Sequence, residues 1–152
     1  MAVDIILHCS DSGYGNAALI TKWHLERGFD TIGYHYVILN GQLDTRHYNN
    51  LFDGQIESGR PLDDDHTFEI SEQGAHVRGH NRSVGVCLVG KSGDFTDKQI
   101  SSLIWLLGQL KEQFIDVTLS QHSNYDRSKW FCAGIADLDS YRETLNISNI
   151  KA

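Results

Sequence analysis

The sequence predicts an α/β fold: a single domain with a central mixed β-sheet flanked by helices. Three observations carry that expectation. "SVGVCLVG" (83–90) is a continuous apolar run, the pattern of a strand covered on both faces. "DFTDKQISSLIWLLGQLKEQF" (94–114) repeats its apolar residues at helical spacing. Strand-like and helix-like segments also intermix along the 152 residues, and some strand pairs are joined by tight turns.

The elements follow in order. "VDIILHCS" is a short apolar run closed by polar breakers, and predicts a buried strand. "NAALITKWHLERG" predicts a helix with Leu19, Ile20, Trp23 and Arg27 near one face and Gly28 as its stop signal. "IGYHYVILNG" is β-branched and aromatic, and its Asn-Gly end marks a strand entering a turn. Residues 42 to 51, "QLDTRHYNNL", show no period and are expected to form a loop. "DGQIESGR" reads as a turn and a short alternating strand, and "PLDDDHTFEISEQ" as a solvated loop. In the long helix Thr96 and Gln99 have capping-box spacing, and Ile100, Leu103, Ile104, Leu107, Leu110 and Phe114 mark the buried stripe. "DVTLS" follows as a strand and "LDSYRETL" as a short amphipathic helix. No linker or repeat divides the chain, so residues 1–152 are expected to be one catalytic domain.

Composition narrows the function. Twenty acids against 13 Lys plus Arg give a formal charge of −7, which argues against nucleic acid as a partner. Three cysteines make a poor disulfide framework and fit a reducing compartment. The N-terminus lacks a basic region and a long enough apolar run for a signal peptide, and no stretch approaches a membrane span. Synthesis in the cytoplasm without membrane insertion is therefore expected.

The candidate chemistry lies in histidines and cysteines at strand ends. His8 closes the first strand, His122 follows "DVTLS", and Cys132 lies ten residues further on. Two imidazoles and a thiolate are a donor set for catalytic zinc, which uses three protein ligands and leaves one position open. The spacing matches no short zinc motif, so satisfied structural histidines are the better reading of the pattern by itself. Cys87 lies inside an apolar strand and is expected to be core. Cys9 follows His8 on a strand and is expected to point to the opposite face. Trp23 is expected to pack in the core, His35 to be structural, and His24, His47, His66 and His80 to be exposed.

Taken together, "IILHCSDS", "ITKWHLERGFDTIGYHYVI", "DGQIESGRP", "GAHVRGHNRSVGVCLVG" and "FTDKQISSLIWLL", followed by His122 and Cys132, resemble the zinc-dependent N-acetylmuramoyl-L-alanine amidases of the type 2 family. That family includes compact phage lysozyme-amidases and peptidoglycan-recognition proteins. The resemblance spans about residues 4 to 135. It implies Zn²⁺ as cofactor, held by His8, His122 and Cys132. It implies Tyr34 near the zinc-bound water and Lys129 stabilising the transition state. It places His76 and Asn81, with Arg78, beside the substrate groove. This chain departs from that pattern in four ways. Lys129 stands three residues before Cys132 rather than two, the loop from His122 to Cys132 looks about two residues longer, Ala133 stands where the family usually has a proline, and residues 41 to 52 look like an insertion.

The implied function is an endolysin that cleaves the amide between N-acetylmuramic acid and L-alanine of peptidoglycan. The absence of a signal peptide then implies accumulation in the host cytoplasm and holin-type release. A monomer is expected. The alternatives on the same fold are a cytosolic amidase recycling anhydro-muropeptides and a peptidoglycan-binding module without catalysis.

Overall fold

A computed structural model describes residues 2–63 and 65–147. Five strands form one sheet: β1 (Val3–Cys9), β2 (Tyr36–Gln42), β3 (Tyr48–Ser58), β4 (Val84–Leu88) and β5 (Val117–Gln121). Their order across the sheet is β3-β2-β4-β1-β5. The pairs β2–β4, β4–β1 and β1–β5 are parallel, and β2–β3 is antiparallel. Three helices, α1 (Ala17–Glu26), α2 (Asp97–Phe114) and α3 (Leu138–Leu145), complete the expected α/β architecture.

Strand alternation divides the core in two. Ile5, Leu7, Val84, Val86 and Leu88 turn to the face covered by α2 and α3, where they meet Leu103, Leu107, Leu110 and Leu138. Val37, Leu39, Cys87 and Val89 turn to the other face and pack against Ile20 of α1, with Trp23 partly buried beside them. The core roles expected of Cys87 and Trp23 are therefore observed. His8 alternates with Leu7 and so lies on the α1 face.

Helix α2 starts where the capping box places it. The Thr96 side chain accepts from the Gln99 N–H, and the Gln99 side chain accepts in return from the Thr96 N–H at 2.9 Å. Gln99 is itself fully buried. Its Nε2 donates to the carbonyls of Ile38 at 3.0 Å and Val89 at 2.8 Å, tying the helix start to β2 and the end of β4.

One boundary differs from expectation. Residues 48–51 were expected in a loop but belong to β3, which pairs with β2 as far as Gln42↔Tyr48. Two register shifts interrupt this ribbon, and residues 48 to 51 are exposed. Bulges break the two-residue period, and exposure removes the need for alternating apolar residues. In the acidic segment Asp63 and Asp65 are exposed, as expected of a solvated loop, and Asp64 lies outside the described residues. Glu72 there is buried and caps the Ile70–Glu72 turn, accepting from the Asp63 and Glu69 N–H groups at 2.8 Å each.

Candidate metal centre

Parallel strands β1 and β5 lie side by side, with Leu7 opposite Gln121. His8 and His122 therefore emerge next to each other at the carboxyl ends of the strands, where open α/β sheets present ligand sites. Their Nδ1 atoms are 3.1 Å apart. Cys132 is brought in by the loop that follows. The Ser123 N–H donates to the Cys132 carbonyl at 2.7 Å, and the Gln121 side chain bonds both the N–H and the carbonyl of Ile135. One donor atom each from His8, His122 and Cys132 lies within 4.8 Å of the others.

This arrangement fits zinc. Tetrahedral nitrogens at about 2.0–2.1 Å from a zinc ion stand roughly 3.3 Å from each other, close to the observed separation. Burial holds the His8 and His122 imidazoles below their ordinary pKa, so both are neutral and able to ligate at pH 7. The neighbouring Cys9 thiol and burial push the Cys132 thiol up, and a bound cation reverses that by favouring the thiolate. The Cys9 N–H already donates to Cys132 Sγ at 3.1 Å.

Behind His8 lies a second histidine. His8 Nε2 is 2.8 Å from His76 Nδ1, and His76 Nε2 is 3.2 Å from the Ser83 carbonyl. The His76 ring is buried, and burial lowers its pKa to about 3. Beside the three candidate ligands opens a cleft of about 510 Å³ whose lining includes Tyr34, Arg78, Asn81, His122, Lys129 and Cys132.

No family model matches the chain. The endolysin of Klebsiella phage KP32 is 32% identical, over 84% of this chain and 83% of that protein. The chain belongs to the phage endolysin family. Solved structures share its fold. The N-acetylmuramoyl-L-alanine amidase LysC from Clostridium intestinale URNW has a TM-score of 0.74 at 24% identity, covering 97% of this chain and 87% of that one. Drosophila PGRP-LB has a TM-score of 0.68 at 21% identity, covering 99% and 85%.

In this endolysin-family chain the other expected residues divide by position. Tyr34 is half-buried, with its ring centroid 5.0 Å from that of His8. Burial raises its pKa well above the ordinary tyrosine value, so its hydroxyl stays a donor. Lys129 ends the Arg127–Lys129 turn at the cleft wall, with its ammonium 5.8 Å from the Phe131 ring centroid. Asn81 also lines the cleft, but its Oδ1 accepts from the His76 and Val77 N–H groups at 2.8 and 2.9 Å. The cleft lining does not include residues 41 to 52.

Two expectations are corrected. Cys9 does not sit apart from the site. It is the last residue of β1, where alternation no longer holds strictly, and it lines the same cleft as Cys132. His24 is not exposed. It is 6% accessible, and its Nδ1 accepts from the Gly33 N–H at 2.9 Å, anchoring the segment that carries Tyr34. The signal was present in the sequence, since His24 is four residues after Ile20 and shares its buried helix face. His35 is structural as expected, with Nδ1 accepting from the Gly85 N–H at 3.0 Å and Nε2 donating to the Glu72 carbonyl. Exposed His47, His66 and His80 also match expectation. Nothing local in the sequence marks Asp126, whose carboxylate lies 4.0 Å from His122 Nε2, or Ser83, whose carbonyl faces His76, because both contacts arise from the fold.

Proposed function

We propose that this chain is a zinc-dependent N-acetylmuramoyl-L-alanine amidase that cuts the lactyl amide between N-acetylmuramic acid and L-alanine of peptidoglycan. The observation that carries this reading is the convergence of His8, His122 and Cys132, the last two lining an open cleft, in a chain related to endolysins. Zinc, when bound, supplies a Lewis acid that lowers the pKa of water toward 7 and polarises a carbonyl.

The chain's own residues supply the rest. His8, His122 and Cys132 would hold the metal, and His122 and Cys132 line the cleft. The Tyr34 hydroxyl donates a hydrogen bond toward the attacking water or the developing oxyanion. Lys129 brings a positive charge to the same oxygen, a contribution typically worth about 2.7–4 kcal/mol for a single oxyanion donor. His76, Asn81 and Arg78 also line the cleft, with Arg78 exposed and able to meet a stem-peptide carboxylate.

We further propose that residues 1–152 act as one catalytic domain and as a monomer. We propose cytoplasmic synthesis followed by holin-type release, on the strength of the endolysin relatives; no helix among the described residues is long and apolar enough to cross a membrane. The test uses purified protein with defined muropeptides and intact sacculi, read by mass spectrometry. Release of stem peptide beginning at L-alanine, stopped by a chelator and restored by zinc, is the expected result. Zinc uptake without cleavage would instead make the chain a binding module. Cleavage of soluble anhydro-muropeptides but not sacculi would make it a recycling enzyme.

A further inference from the structure

Buried histidines beside a metal ligand can do more than fill space, because the hydrogen bonds they accept decide which ring nitrogen of the ligand is free. The contacts behind His8 have a readable direction. The Ser83 carbonyl can only accept. The Ser83 hydroxyl donates to the His80 carbonyl at 2.5 Å, so toward His76 Nε2, 3.2 Å away, it too presents a lone pair. His76 Nε2 faces two acceptors and must carry a proton. In a neutral ring, Nδ1 is then bare. His76 Nδ1 faces His8 Nε2 at 2.8 Å, so His8 must carry its proton on Nε2. The lone pair of His8 is left on Nδ1, the atom that faces His122 at 3.1 Å.

We infer that Ser83 and His76 form a one-way hydrogen-bond relay that locks His8 in the Nε2–H tautomer, with its Nδ1 lone pair preset toward the metal. This inference rests on the proposed role of His8 as a ligand and adds a positioning role for His76, distinct from contact with substrate.

Packing supports the same conclusion. The His76 ring lies in a slot cleared by two glycines. A Cβ on Gly85 would come within 2.8 Å of the ring, and one on Gly74 would collide with its edge. The backbone of His76 is pinned by Asn81, and that of Asn81 by the Gly74 N–H, which donates to its carbonyl at 2.9 Å. The slot fixes the ring plane, and within it only the orientation that aims Nδ1 at His8 and Nε2 at Ser83 puts nitrogens, not carbons, against both partners. On the other side, the Asp126 carboxylate stands 4.0 Å from His122 Nε2 and favours the proton there. Both Nδ1 lone pairs then point into the same space, a repulsive arrangement that a cation relieves.

The test begins with the unaltered full-length chain. Long-range ¹H–¹⁵N NMR reads imidazole tautomers directly, and His8 is expected as Nε2–H in both the zinc-free and zinc-loaded protein. Zinc affinity is then measured by competition with a chromophoric chelator. His76→Leu, which removes the acceptor, is expected to weaken zinc by ~10–100-fold, the usual cost of losing such a partner. His76→Asn places an amide oxygen near the lost Nδ1 and is expected to recover most of that loss. His76→Gln places its amide near the Nε2 position and is expected not to. The Co²⁺-substituted protein should show a changed ligand-field spectrum in His76→Leu and a near-normal one in His76→Asn, a signature that a purely structural role would leave alone. A wild-type chain that takes up no zinc overturns the ligand set itself. A chain that takes up zinc but shows His8 as Nδ1–H, or binds equally tightly as His76→Leu, overturns the relay alone.

Discussion

His8 Nδ1 and His122 Nδ1 meet at 3.1 Å although the residues are 114 positions apart in the chain. The parallel pairing of β1 with β5 makes that meeting, and the loop to Cys132 adds the third donor. Zinc is therefore expected to stabilise the fold as well as serve the chemistry. A ligand present at 100 times its Kd adds about 2.7 kcal/mol to stability. Wild-type protein should melt several degrees higher with zinc than with chelator. Cys132→Ser should lose that difference together with amidase activity. Equal melting curves with and without zinc would count against the site.

Lys129 lines the cleft and meets a ligand residue only through its backbone, its carbonyl accepting from the Cys132 N–H at 2.9 Å, so truncating its side chain should leave the metal in place. Lys129→Ala should keep full zinc content and lower kcat by roughly 10²–10³-fold, with KM little changed. A loss confined to KM would instead make Lys129 a substrate-binding group.

Tyr34 offers a hydroxyl that burial keeps protonated, 5.0 Å ring to ring from His8. Tyr34→Phe keeps the ring packing and removes the donor. The expected outcome is a fall in kcat of ~10–100-fold with zinc content and melting temperature close to wild type. Steady-state kinetics on a defined muropeptide, alongside metal analysis, decides this.

His24 gives the fold a pH dependence. Its Nδ1 accepts from the Gly33 N–H, and burial, with lesser effects from Arg27 and Arg60, lowers its pKa from 6.5 to about 4. The unfolded chain therefore takes up a proton first. The stability that His24 contributes is complete above about pH 6.5 and is lost as the pH falls toward 4. His24→Asn keeps an acceptor for Gly33 without the titration. Urea unfolding between pH 7 and 4.5, with chelator present, should give a shallower loss of stability in the variant, by close to one proton. An identical slope would show that His24 does not carry it.

Gln99 satisfies two buried carbonyls at once. Gln99→Leu fills similar space but leaves Ile38 and Val89 without partners and breaks the capping box. Each lost buried partner costs about 1–3 kcal/mol. Chemical denaturation should show a destabilisation of that order or somewhat more, with zinc affinity unchanged because the site lies on the opposite face.

Some of this was determined by the sequence alone. Local patterns were enough for the order of strands and helices, the α2 capping box, the core role of Cys87 and the burial of α2, since each depends on residues a few positions apart. The segment from residue 42 to 51 was harder, because bulges and exposure erased the period of β3. The candidate ligands His8, His122 and Cys132 were marked by residue type and strand-end position, but their spacing has no local meaning, and only the resemblance to a family raised them above structural residues. The tertiary structure decided what surrounds them. Parallel pairing of β1 with β5 and β4 set His8 beside His122, and the glycine-lined slot fixed His76 behind it. It also turned His24 inward and brought Cys9 to the cleft. These are long-range contacts, and hydrogen bonds between side chains remote in sequence leave no pattern in the sequence itself.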